Sequence, residues 1–217
     1  MAFLEVSDLR KTFGKKIVFN GVSFSVERKD SVGLVGMSGQ GKSVLIKTLI
    51  GFYKPDNGAI KINSSLLHPI GFSMQESSLY PSLTLVQNLV YFAEIYRVPR
   101  NERMFRIEKL IELLDLTAHA HVLVKKLSGG TKKRADIACA LLTDPEMIIF
   151  DEPFAGLDPR LVRELAALIK KIHAMGKTIF ISSHRLDILP EICSRFLLLE
   201  NTQVREVQRE ALEEVYK

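Results

Sequence analysis

Gly36-Met37-Ser38-Gly39-Gln40-Gly41-Lys42-Ser43, between residues 31–35 (SVGLV) and the run continuing from Lys42 as KSVLIKTLIGF, decides how this sequence folds. The octapeptide fits G-x-x-x-x-G-K-[ST]. The apolar run before it has turn signals on both sides and reads as a buried strand, and the run after it reads as a helix. Alone, the octapeptide could be a glycine-rich turn with a surface lysine. Between a strand and a helix it predicts a triphosphate cradle. Glycines let the backbone turn tightly, so that the amides of residues 36–44 (Gly36, Met37, Ser38, Gly39, Gln40, Gly41, Lys42, Ser43 and Val44) converge on phosphates at a helix N-terminus. Lys42 would neutralise the β- and γ-phosphates, and the Ser43 hydroxyl would coordinate Mg²⁺. The expected nucleotide is ATP.

Outward from this loop, residues 3–6 and 22–26 alternate as β-like runs broken by Gly14 and Gly21. Residues 147–150 (MIIF) and 178–181 (TIFI) are further buried-strand candidates, with a helical pattern over 160–174 between them. Strand–helix–strand repetition predicts a mostly parallel sheet covered on both faces. Residues 81–126 differ, with helical periodicity through LVQNLVYFAEIY and RIEKLIELLDL and little β signal. A helix over 132–142 follows and stops at Asp144-Pro145. The reading is one α/β domain over 1–217. Residues 1–80 and 145–217 form a P-loop ATPase core with a small antiparallel β-subdomain, and 81–144 form an inserted helical subdomain. Residues 205–217 read as a charged amphipathic helix.

The 217 residues are 47% hydrophobic and 25% charged, ordinary for a globular chain with a sizeable core. No apolar run approaches the roughly 18 residues that cross a bilayer, and MAFLEVSDLRK lacks the pattern of a secretory signal. Cys139 and Cys193 lie in apolar helix-like patterns, which predicts buried free thiols and a cytoplasmic location. The net charge of +5 is scattered, so no nucleic-acid partner is expected. Lys125, Lys126, Lys132, Lys133 and Arg134 read as a solvated face.

Asp151-Glu152-Pro153 follows the MIIF strand. Two acids in a loop are ordinarily solvated surface. At the end of an apolar strand, in a chain with a phosphate loop, Asp151 becomes a candidate for the Mg²⁺ shell and Glu152 for the base that polarises the attacking water.

Leu127-Ser128-Gly129-Gly130 opens a helix and needs a different explanation. Ser128 can cap that helix, and the glycines let a phosphate approach its amides. With Thr131, this stretch resembles the LSGGQ signature of the ATP-binding-cassette (ABC) proteins, whose other elements follow here in the family's order. The resemblance implies roles for four more residues. Phe13 would stack on adenine, and Gln75 (in GFSMQ) would sense the γ-phosphate and Mg²⁺. Asp158 (in AGLDP) would couple two sites, and His184 (in ISSH) would contact the γ-phosphate. Read without the family, Phe13 is a core aromatic, Gln75 a loop polar residue and His184 a structural histidine.

The resemblance also implies a head-to-tail dimer, with each ATP between one subunit's phosphate loop and the other's Ser128, Gly129 and Gly130. The dimer is a homodimer or pairs two related cassettes. It drives a separate integral-membrane permease from the cytoplasmic face. Thr131, Val44 and Gln87 replace the family's usual glutamine, threonine and glutamate, and 58–75 is shorter than usual. The helical segments look like export-type cassettes serving drugs, lipids or polysaccharides. A cell-division ATPase pulling on a membrane partner is the alternative.

Overall fold

The computed structural model describes residues 2–214. The chain runs through β1 (Leu4–Phe13), β2 (Lys16–Val26), β3 (Ser31–Val35), α1 (Lys42–Leu49), β4 (Asn57–Ile62), β5 (Ile70–Ser73), α2 (Leu85–Ile95) and α3 (Arg100–Leu113). It continues with α4 (Gly129–Leu141), β6 (Met147–Asp151), α5 (Pro159–Ala174), β7 (Thr178–Ser182), α6 (Leu189–Ile192), β8 (Arg195–Glu200) and β9 (Gln203–Val207). The main sheet has the order β5-β6-β7-β3-β8-β9, parallel except for the antiparallel β8–β9 hairpin. A second, antiparallel sheet has the order β2-β1-β4.

The central strands are apolar throughout because both faces of the sheet are covered. On one face Leu34, Ile149, Phe180 and Leu197 pack with α1 and the antiparallel sheet. On the other Val35, Phe150, Ile181 and Leu198 pack with the helices. Successive residues of one strand thus serve two different cores, as the period of two requires. Gly71 in β5 lets α4 lie close, since a Cβ there would stand 2.2 Å from the Ala140 carbonyl oxygen.

Most differences from the sequence reading have a local cause. β1 and β2 are longer than the runs at 3–6 and 22–26, because register shifts after Val6 and at Asp8 (φ 46°) carry the ladder through the polar residues. α1 ends at Leu49 rather than continuing through Phe52. α3 starts at Arg100 behind Pro99, ahead of the periodic apolar run. Gln87 is more than a surface replacement: its side chain accepts from the Thr84 amide at 2.8 Å and completes the capping box of α2. The helix read over 205–217 is not formed over the described residues. Gln203–Val207 pairs with β8 instead, and Arg209–Glu214 is a short 3-10 helix. Residues 215–217 lie outside the described residues.

Cys139 and Cys193 are buried free thiols, and burial pushes Cys193 up to about 12. No helix among the described residues is long and apolar enough to cross a membrane.

Candidate nucleotide site

The loop between β3 and α1 turns through three glycines with positive φ, Gly36 (148°), Gly39 (82°) and Gly41 (105°). At two of them, Gly36 and Gly41, a side chain is barred for steric reasons as well. A Cβ on Gly36 would meet the Leu199 carbonyl oxygen at 2.4 Å, and one on Gly41 would meet Val18 Cγ1 at 2.5 Å. Among the described residues no side chain caps α1. The amides of its first turn therefore face the loop with their partial positive charge available to an anion.

A cleft of about 330 Å³ over this turn is lined by Ser38, Gly39, Gly41, Lys42, Ser43, Val44, Gln75, Glu152 and His184. Lys42 is buried, and Nζ donates to the Gly36 carbonyl at 2.6 Å and the Met37 carbonyl at 3.3 Å. Its ammonium stands 3.7 Å from Glu152. Burial pulls the Lys42 pKa down, opposed by the charges of Glu152 and Asp151. Glu152 in turn accepts from His184, whose backbone amide lies at 3.3 Å and whose Nδ1 lies at 2.9 Å. Three residues that lie far apart in sequence thus form one chain of contacts, Lys42–Glu152–His184.

Asp151 is buried beside them and accepts from the Ser43 hydroxyl at 3.1 Å and the Ser182 hydroxyl at 2.6 Å, both on Oδ1. Mg²⁺ in nucleotide sites takes only one or two protein oxygens, with phosphates and waters completing its octahedron. A serine hydroxyl against one buried carboxylate suits that demand. Ser43 and Asp151 are therefore the residues that fit Mg²⁺, with Gln75 on the rim of the same cleft.

Sequence reasoning missed Ser182. Its hydroxyl both donates to Asp151 and accepts from the Glu152 amide at 3.0 Å, while its carbonyl accepts from that amide at 3.1 Å. Glu152 is held in a left-handed conformation (φ 46°) by these bonds. The available signal was a small hydroxyl at the end of a buried strand, two residues before His184.

The other candidates lie outside this cleft. Phe13 is 44% exposed and packs edge-on against Tyr53 (centroids 5.2 Å apart), so it is a surface platform and not a core aromatic. Ser128 is the N-cap of α4, accepting from the Thr131 amide at 3.2 Å, and Gly129 beside it is exposed. Gly130 is buried against Leu161, whose Cδ2 would lie 2.9 Å from an added Cβ. Asp158 caps α5, accepting from the amides of Arg160 (2.9 Å) and Leu161 (3.0 Å). The solvated basic face needs correction at two positions: Lys133 is only 8% exposed and points inward, and the half-buried Arg134 pairs with Glu164 at 2.8 Å.

Residues 19–155 match the family described as ABC transporter. The chain belongs to the ABC transporter family. Within that family it is 36% identical to the methionine import ATP-binding protein MetN of Brucella abortus (strain 2308), over 94% of this chain and 58% of the relative. It is 31% identical to the linearmycin resistance ATP-binding protein LnrL of Bacillus subtilis (strain 168), over 93% of this chain and 67% of the relative. The chain thus spans less than two thirds of the length of its MetN relatives. A crystal structure of a nucleotide-free ATP-binding cassette from an ABC transporter superposes with a TM-score of 0.87 at 28% identity, covering 100% of this chain and 95% of the other. The fold is that of an ABC ATPase cassette.

Proposed function

We propose that this cassette hydrolyses ATP to drive a separate integral-membrane permease, from the cytoplasmic face and as a head-to-tail dimer. The observation that carries the reading is the convergence of Lys42, Ser43, Gln75, Glu152 and His184 on one cleft. In this reading Lys42 leaves its carbonyl partners for the β- and γ-phosphates. Phe13 stacks on the adenine. Glu152 accepts the proton of the attacking water, held in place by His184 and by the Ser182 bonds to its amide. Ser43, Asp151 and Gln75 would hold Mg²⁺, which when bound would neutralise charge at the phosphates.

The family resemblance implies the dimer, which is supported by the position of the signature residues outside the cleft. Ser128, Gly129, Gly130 and Asp158 do not line it, yet Ser128 and Gly129 present an exposed helix start suited to an anion. A second cassette would bring its own copy of that helix start to this cleft. Residues 81–144, with the exposed Tyr80–Tyr91 pair at their edge, form the subdomain that receives the permease.

For direction we favour export, supported by relatives named for linearmycin resistance and for Nod factor export. Import is the second reading, favoured by the MetN relatives. Transport by the cassette and its permease in inside-out vesicles separates them, since uptake of cargo with external ATP means export.

The deciding experiment measures ATP turnover against protein concentration, beside Glu152→Gln. Turnover rising more steeply than linearly and lost in the variant supports the reading. Linear activity from a monomer would sink the dimer.

A further inference from the structure

Two buried charges on α4 are not used by the site above. Lys133 and Asp136 lie one turn apart on the same face, 8% and 3% exposed. Charged side chains stay buried only when their bonds are satisfied. Both satisfy theirs on the loop that follows β5. Lys133 Nζ donates to the Met74 carbonyl at 2.5 Å, one residue before Gln75. Asp136 Oδ1 accepts from the Ser78 amide at 3.1 Å and the Ser78 hydroxyl at 3.2 Å, and the carboxylate also bonds the Ser77 side chain. The loop carrying Gln75 is thus gripped on both sides of the glutamine by the helix that begins at Ser128.

The loop residues 74–78 are exposed and make no strand of their own, so α4 is their principal anchor. Burial drives the Lys133 pKa down, opposed by the charges of Asp136 and Asp151. It drives the Asp136 pKa up, opposed first by bonds to Ser77 and the Ser78 amide and then by the Lys133 charge. Pulling the loop away would strip two buried charges of their hydrogen bonds to it, which is more costly than moving helix and loop together.

We infer that Lys133 and Asp136 are positioning residues that make the Gln75 loop and the Ser128 helix start one rigid unit, so that γ-phosphate contact at Gln75 sets how the helix start is presented to a second cassette. The inference rests on the head-to-tail reading for its consequence but not for its mechanics. The unit exists within one chain, and its response to ATP is measurable before any dimer forms.

The experiment follows amide hydrogen exchange in dilute, monomeric protein, with and without ATP, over residues 73–80 and 128–140. In the parent, ATP changes exchange in both segments. In Lys133→Met only residues 73–80 respond, and Lys133→Arg, which keeps a donor, restores the response of 128–140. The pair Ser77→Ala and Ser78→Ala removes the two hydroxyl bonds to Asp136 from exposed positions, leaves the Ser78 amide bond and the Lys133 bond in place, and weakens the response in the same direction. An equal response of 128–140 in parent and Lys133→Met, or none in the parent, overturns the inference.

Dimerisation is then read in a Glu152→Gln background, where Lys133→Met raises the ATP concentration for half-maximal dimer about tenfold, within the usual range of coupling between sites. Nucleotide affinity of the monomer stays within about twofold. A Glu152→Gln protein that never dimerises sinks the head-to-tail reading and leaves the exchange result to judge the loop–helix unit.

Discussion

His184 Nδ1 stands 2.9 Å from the Glu152 carboxylate, on the far side of that carboxylate from the Lys42 ammonium at 3.7 Å. One carboxylate thus bridges the phosphate-facing lysine and the histidine that follows β7. Lys42 is satisfied by Glu152 and two carbonyls, and in the proposed mechanism a γ-phosphate competes with them for its ammonium.

Glu152→Gln keeps the size of the side chain and an acceptor for His184, but removes the proposed base. Turnover should fall by about 10²- to 10⁴-fold, the span of general-base contributions, with ATP binding retained. Steady-state hydrolysis beside a fluorescent-nucleotide titration checks both halves. Equal loss of binding and turnover would mean the residue holds nucleotide instead.

Ser182→Ala removes the hydroxyl shared by Asp151 and the Glu152 amide. The expected signature is a lower kcat and a higher Mg²⁺ concentration for half-maximal rate, with the Tm little changed because the backbone bond from Glu152 to the Ser182 carbonyl remains. Ser182→Thr keeps the hydroxyl and should recover most of the rate. Identical Mg²⁺ curves for the serine and alanine proteins would count against the role.

Gly71→Ala pushes a methyl into the Ala140 carbonyl and the Pro145 ring, the latter 2.9 Å away. Neither is a flexible side-chain end, so the sheet and α4 must separate. Overpacking of this kind costs about 1–3 kcal/mol. Urea midpoints for the two proteins measure it, and a cost near zero would mean that α4 shifts freely.

Asp56 accepts from Lys11 Nζ (2.9 Å), the Thr12 amide (2.6 Å) and the Thr12 hydroxyl (2.7 Å), bonds that hold its carboxyl at about 2. The folded state therefore binds this proton more weakly than the unfolded chain, whose carboxyl titrates near 4. The stabilisation is complete above about pH 4 and is lost as pH falls toward 2. The Tm gap between the protein and Asp56→Asn should be constant from pH 5 to 7 and narrow below pH 4. A gap that widens on acidification would contradict the assignment.

The parallel core was legible because its strands are short, apolar on both faces and bounded by turn residues, as in residues 31–35, 147–150 and 178–181. The phosphate loop was legible because glycine spacing is a backbone requirement and so is written locally. What stayed hidden depends on neighbours far along the chain. Lys133 looks like part of an exposed basic run (KKR) until the carbonyl of Met74 is brought to it. The chain from residue 205 looks like the start of a charged helix because the end of β9 is an edge strand with a solvated face, and pairing with β8 overrides the helical pattern there. Phe13 carries no sign of its exposure, which is set by the turn that Asp56 pins beside it.

The strand that delivers the phosphate loop, β3, lies between β7 and β8. Its two neighbours come from Thr178–Ser182 and Arg195–Glu200, near the far end of the chain. The Leu199 carbonyl even forms the floor beneath Gly36. During synthesis, the glycine turn leaves the ribosome long before the strands that seat it exist. A nascent chain therefore has no finished anion cradle until residues near 200 have emerged, and nucleotide cannot assist the earlier steps of folding. Contacts this distant in sequence also slow folding. Capture of ATP by a ribosome-tethered chain would report that synthesis has passed β8.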